Sequence, residues 1–159
     1  MHTYADDRGR SLMSLFDHVT ELPGQFNASV MFVGAVKAWH RHRLQDDHWV
    51  VLSGAVKVGL FNSESTELTA ELRLATPAPD HEVQRTLKVA PGAGLSVALS
   101  AHVPGVLRIP AGLWHGGVAV GDREALLLYY VTRKYDARNP DEERAAWDAF
   151  PFRWDIERR

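Results

Sequence analysis

Short apolar runs recur along the chain at Val30–Val36, Trp49–Leu52, Ala55–Phe61, Glu71–Leu74, Leu87–Val89, Leu95–Leu99, Val106–Ile109, Gly116–Val120 and Ala125–Val131. They are rich in Val, Leu, Ile and aromatic side chains, which suit a pleated, part-buried surface, so each predicts a β-strand. Between them stand Ser53-Gly54, Asn62-Ser63, Thr76-Pro77, Pro91-Gly92, Pro104-Gly105 and Ala111-Gly112. This is the chemistry of tight reversals rather than of crossover helices. The pattern predicts an all-β, antiparallel barrel or sandwich. Two short helical pieces are expected near the termini. Arg10–His18 carries Leu12, Leu15 and Phe16 at roughly helical spacing after Ser11. Pro140–Asp148 follows Asn139 as a cap, with a first-turn proline and the acids Asp141, Glu142 and Glu143 near the positive end of a dipole. A turn of helix there would pack Trp147 on the barrel.

A chain of 159 residues suits a single domain over 1–159, with one core and one main pocket. Apolar residues at 45% and charged residues at 24% are ordinary globular usage, so the core needs no staples. The formal net charge is -2, and no segment gathers Lys and Arg into a footprint for a nucleic-acid backbone. The expected partner is therefore a small molecule. With no cysteine, neither a disulfide framework nor a thiolate metal site can form. Met1–Arg10 is polar and lacks the apolar core of a signal peptide, and no run approaches the length of a membrane span. These features predict a cytoplasmic protein with no membrane partner.

The chemistry concentrates in histidines. On a strand, residues two apart share a face, so His40 and His42 are expected to project together, with Val36 and Ala38 alongside. His115 follows a Pro-Gly turn between two strand-like runs. Asp47 adds a carboxylate, and pleat parity sends His48 the other way while favouring Trp49 over Trp39 as a pocket aromatic. Several imidazoles and a carboxylate on converging strands suit a borderline divalent metal: Fe, Mn, Ni, Zn or Co. His2, His18, His81 and His102 are expected in termini, loops or turns.

Gly34, His40, His42, Asp47 and Gly54 together resemble the first cupin motif, with Asp47 where that motif usually has glutamate. Pro110, Gly112 and His115 resemble the second motif, with Gly105 one place closer to the proline and Ala119 in place of asparagine. The resemblance implies a cupin (jelly-roll) barrel. Over most of its length the chain also resembles the dTDP-4-dehydrorhamnose 3,5-epimerase family of nucleotide-sugar enzymes. The match runs through Asp7-Arg8-Gly9, Asn27-Ala28-Ser29, Val36–His40, Ile109–Gly116, Tyr129–Thr132, Tyr135, Asp141-Glu142, Trp147-Asp148 and Trp154.

That resemblance implies a homodimer that needs no cofactor, with His40 as base next to a ketone and Tyr129 as acid across the pocket. A neutral imidazole with a pKa of about 6.5 can take a proton, and a phenol with a pKa of about 10 can return one. His115 becomes a pocket partner, and Lys37 a phosphate contact where the family has arginine. Arg41, Arg43, Arg73 and Arg108 are further candidates for a diphosphate, Arg108 the foremost of them. Two departures stand out. Asp47 falls where the family has a lysine that stabilises the enolate, and the family's histidine-orienting aspartate falls beyond Arg159. Two other readings remain: a metal-dependent cupin enzyme, a dioxygenase or other isomerase, using His40, His42, Asp47 and His115, and a non-catalytic sugar- or ligand-binding barrel.

Overall fold

The computed structural model describes residues 2–13, 23–74 and 83–155. Thirteen strands run in chain order: β1 (His2–Asp6), β2 (Gly9–Met13), β3 (Gln25–Met31), β4 (Val36–Arg41), β5 (Asp47–Ser53), β6 (Ala55–Phe61), β7 (Leu68–Leu74), β8 (Val83–Val89), β9 (Gly94–Ser100), β10 (Gly105–Ile109), β11 (Trp114–Ala119), β12 (Ala125–Val131) and β13 (Glu143–Arg144). They form an eight-stranded sheet in the order β1-β2-β3-β12-β5-β10-β7-β8 and a five-stranded sheet in the order β13-β4-β11-β6-β9, with antiparallel ladders throughout. The all-β expectation is met. No helix among the described residues is long and apolar enough to cross a membrane.

The sheets face each other across a core that includes Met31, Val58, Leu60, Leu72, Leu107, Ile109 and Leu113. A second apolar cluster lies on the outside of the smaller sheet, where Trp39, Phe61, Trp114, Val118 and Trp154 pack with Phe150 and Phe152. β11 is therefore buried at every position, one face in the barrel and the other under the segment that follows β13. An antiparallel strand normally leaves one face wet, so this covering explains the continuous apolar run. Gly59 makes the close approach feasible, since a Cβ there would stand 2.7 Å from the Trp154 ring and 2.9 Å from Phe152.

Both helical pieces are corrected. Arg10–Met13 belongs to β2, and the rest of Arg10–His18 lies outside the described residues. In Pro140–Asp148 the chain instead adds β13 to the edge of β4, and Ala145 and Trp39 exchange backbone hydrogen bonds of 3.1 and 3.0 Å. The acids that looked like dipole complements are used across the chain. The Asp141 carboxylate accepts from the Arg43 and Leu44 amides, each at 2.8 Å, and Glu143 pairs with Arg41 and Arg43. Trp147 does not pack into the barrel: the residue is 59% exposed, while its carbonyl accepts the indole N–H groups of Trp39 and Trp154, both at 3.0 Å. The run Val30–Val36 is also divided, β3 ending at Met31 and β4 starting at Val36.

Candidate active site

One cavity of about 790 Å³ opens between the sheets. On β3, Gln25, Asn27 and Ser29 face it, buried to within a few per cent, while Phe26, Ala28 and Val30 turn outward. Polar-in, apolar-out inverts the usual alternation and marks a wall built to meet a polar guest. Gln25 donates to Asn27 Oδ1 at 2.7 Å and accepts the Tyr135 amide at 3.0 Å, which holds the mouth loop after β12 against this row. On β12, Leu127, Tyr129 and Val131 face inward, and Tyr129 lies in register with both Asn27 and Trp49.

The opposite wall depends on a bulge. Along β11, His115 and Gly117 pair with His40 and Lys37, so two steps on one strand meet three on the other. Side-chain parity flips within β4. Lys37 and His40 both reach the cavity, while Trp39 turns outward and is completely buried in the second cluster with Val36 and Ala38. Simple alternation had put Val36 and Ala38 beside His40, and the extra residue is why it failed. Gly116 creates the space for the bulge, since a Cβ there would stand 2.3 Å from Ala38 Cβ and 2.7 Å from the Lys37 carbonyl.

His40 is half-buried, with Nδ1 3.9 Å from Glu142 Oε1. Burial, followed by the nearby His115, pushes its pKa down to about 4, against the opposing pull of Glu142. The ring is therefore neutral at physiological pH. Across the cavity, burial holds the Tyr129 phenol well above its usual range, and Asp47 and Glu142 add to the effect, so it remains protonated. Lys37 donates to Ser29 Oγ at 2.9 Å and to the Val30 carbonyl at 3.1 Å, and desolvation lowers its pKa.

His42, Asp47 and His115 form the floor. Each histidine has Nδ1 on a backbone carbonyl, Asp141 O for His42 and Leu113 O at 3.0 Å for His115. A carbonyl only accepts, so Nδ1 carries hydrogen and Nε2 turns to Asp47, at 3.8 Å from His42 and 3.5 Å from His115. Burial works to raise the Asp47 carboxyl, but His115, His42 and the Trp49 indole N–H at 3.1 Å outweigh it and hold the group below its usual value. One donor atom from each of His42, Asp47 and His115 lies within 4.8 Å of the others, and His40 is outside this triad. Three of the four residues expected as metal ligands thus form a compact group, and His40 stands apart from it.

Trp49 meets the His115 ring at 5.4 Å, and His48 turns to the outer face beside Tyr130, as parity indicated. Arg108 is a correction: it projects from the outer face of β10, held by Asp46 at 2.7 Å and Glu71 at 3.3 Å, and does not line the cavity. Arg41 and Arg43 are tied to Glu64 and Glu143, and Arg73 does not line the cavity either, so of the five cations only Lys37 reaches it. Sequence reasoning missed Glu142, Gln25, Arg133 and Lys134, all of which line it. The inverted alternation of β3 could have revealed Gln25.

No family model matches the chain. A probable low-salt glycan biosynthesis epimerase of Haloferax volcanii is 33% identical over 149 residues, covering 91% of this chain and 81% of that protein. A spore coat polysaccharide biosynthesis protein of Bacillus subtilis is 28% identical over 161 residues, covering 98% of this chain and 92% of that one. Among solved structures, a dTDP sugar isomerase of Desulfovibrio desulfuricans shares the fold with a TM-score of 0.63 at 24% identity, covering 96% of this chain and 86% of that one.

Proposed function

Because this chain belongs to the cupin-fold family of glycan biosynthesis epimerases, we propose that it epimerises or isomerises a nucleotide-linked 4-keto-6-deoxy sugar by removing a proton next to the ketone. The observation that carries this reading is that His40 and Tyr129 enter one cavity from different sheets, β4 of the smaller and β12 of the larger. Inversion of a carbon needs a base on one side of the sugar ring and an acid on the other. Neutral His40, with Nδ1 toward Glu142, presents Nε2 to the substrate and takes the proton as the C–H bond breaks and the enolate forms. Tyr129, kept protonated, gives its proton to the opposite face of that carbon as the ketone returns. Solvent then reprotonates the phenolate and accepts the proton from His40, so the protein ends unchanged.

The rest of the cavity fits this substrate class. A volume of about 790 Å³ lies in the ordinary range for small-molecule sites. Lys37 bonds only neutral groups, and Arg133 and Lys134 at the mouth have no carboxylate partner among the described residues, which leaves three cations for a diphosphate. Gln25, Asn27 and Ser29 offer amides and a hydroxyl for sugar hydroxyls. The test is solvent deuterium exchange into a dTDP-4-keto sugar, which should be present in the wild type, lost in His40→Ala and insensitive to chelator. No exchange in the wild type would sink the reading.

A second reading is favoured by one observation. The Nε2 atoms of His42 and His115 converge on the Asp47 carboxylate, and histidines whose Nδ1 is fixed on a carbonyl are oriented as metal ligands are. These three residues would hold Fe, Mn, Ni, Zn or Co, which when bound would act as a Lewis acid beside the enolate oxygen, where the family's lysine is replaced by Asp47. Elemental analysis of protein purified without a nickel column, compared with His42→Ala, tests it. Metal that disappears in the variant supports this reading, and none in either sets it aside.

A further inference from the structure

Two acids stand side by side where the chain enters β5, and only one of them belongs to the cavity. Asp47 opens the strand and lines the cavity, whereas Asp46, one step before it, points the other way and does not. Asp46 nevertheless gathers three segments of the chain. Its Oδ1 accepts the Ala111 amide at 2.9 Å, and its Oδ2 accepts Arg108 Nε at 2.9 Å and Nη2 at 2.7 Å. Its backbone takes Thr132 twice: the Asp46 amide donates to Thr132 Oγ1 at 2.9 Å, and the Thr132 amide donates to the Asp46 carbonyl at 3.1 Å. The start of β5, the turn between β10 and β11 and the chain just after β12 therefore meet on one half-buried residue.

Thr132 is followed directly by Arg133 and Lys134, which line the mouth of the cavity. The next backbone pin is the Tyr135 amide on Gln25 Oε1 at 3.0 Å. Both cations thus ride on a two-residue span between two pins, one on the cavity wall and one on Asp46. Exposed cationic side chains bind an anion best when the backbone that carries them is fixed beforehand, because ordering it at the moment of binding subtracts from affinity. We propose that Asp46 is a positioning residue for anion binding, holding Arg133 and Lys134 from outside the cavity where a diphosphate enters. This rests on the reading of the ligand as a nucleoside diphosphate sugar. Arg108 and the Ala111 amide fix the Asp46 carboxylate, and Asp46 in turn fixes Thr132. The turn that leads to His115 has a second pin, the Gly112 amide on the His42 carbonyl at 2.7 Å, so it does not depend on Asp46 alone. His40 and Tyr129 stand farther inside, on β4 and in the body of β12. Asp46 therefore acts on affinity for the ligand and not on proton transfer.

Isothermal titration of the full chain with dTDP tests the proposal, beside steady-state kinetics with a dTDP-4-keto sugar. Asp46→Ala removes the carboxylate, and Thr132→Val removes only the hydroxyl that the Asp46 amide bonds, at nearly the same shape. Each should weaken dTDP binding about tenfold, the size of one contact to a charged group, and raise KM by a similar factor with kcat within about twofold of the wild type. The fall of dTDP affinity with added salt should also flatten, since fewer cations converge on the ligand, whereas a loss of stability alone would leave that slope in place. Glu71→Gln, which removes only the outer ion pair of Arg108, should bind dTDP as the wild type does. Unchanged dTDP affinity and salt dependence in both variants overturns the proposal, as does a wild type that does not bind dTDP. Deuterium exchange into the sugar is read separately: its absence from a wild type that binds dTDP sinks the proposed chemistry and leaves the role of Asp46 to be decided by the titrations.

Discussion

Nδ1 of His40 lies 3.9 Å from Oε1 of Glu142, whose other oxygen is held by Arg144 at 3.0 Å. The family resemblance matched the histidine's orienting aspartate to none of the residues quoted for it. A carboxylate nevertheless stands at this histidine, delivered from the residue just before β13, and it is anchored on its far side. In the proposed mechanism Glu142 is a positioning residue, its charge favouring the ring orientation with Nε2 toward the cavity.

Glu142→Gln is expected to lower kcat roughly ten- to a hundredfold, less than the about 10²–10⁴ lost when the base itself is removed. KM should change little. Glu142 raises the His40 pKa from below, so the acid limb of the kcat/KM profile, near pH 4 in the wild type, should move lower in the variant. A merely structural role would leave that limb in place, so the pH profile decides the matter.

Tyr129→Phe separates the two proton transfers. With His40 intact, deuterium from solvent should still enter the substrate carbon, while formation of inverted product falls by about 10² or more. Mass spectrometry of recovered substrate reads the first and chromatography of product the second. Loss of both together would place Tyr129 outside the acid role.

Gly116→Ala is expected to destabilise the fold by about 1–3 kcal/mol, the typical cost of forcing an added methyl into packed surroundings. The clash falls on Ala38 and on the Lys37 carbonyl, so the bulge should shift and take the Lys37 ammonium with it. A raised KM for a nucleotide sugar, beside a lower melting temperature, is the expected pair of results.

The ion network that fastens β13 to β4 gives a pH dependence of stability. Arg41 and Arg43 hold the Glu143 carboxyl below 4.5, so its contribution is fully present above 4.5 and is lost as pH falls through the lower folded value. Thermal melts of the wild type and Glu143→Gln should differ at neutral pH and converge as the pH drops below 4.5.

Much of the barrel was legible because its strands are short and their signals local. β6 and β12 have the same bounds in sequence and structure. Parity along β5 correctly turned Asp47 and Trp49 inward and His48 outward. What was not legible depends on partners distant in the chain. The β4 bulge exists because Gly116 of β11 lies opposite, so nothing within Val36–Arg41 signals the change of parity. Arg108 looked like a phosphate contact until Asp46 and Glu71 were found on its side of the sheet. The acids of residues 141–143 read as a helix start because local rules cannot see that Arg43, His40 and Arg41 are waiting across the chain.

The segment from Asp141 to Trp154 does two jobs with one stretch of backbone: it brings Glu142 to His40, and it lays Phe150, Phe152 and Trp154 over Trp39 and Trp114. Because one stretch of backbone carries both, loosening one end is expected to loosen the other. Two of the protein's five indoles, Trp39 and Trp114, lie beneath this strap and a third, Trp154, is carried in it, which makes the protein its own optical gauge. A red shift in tryptophan emission reports that Glu142 has left its histidine, without any label and before any substrate is added.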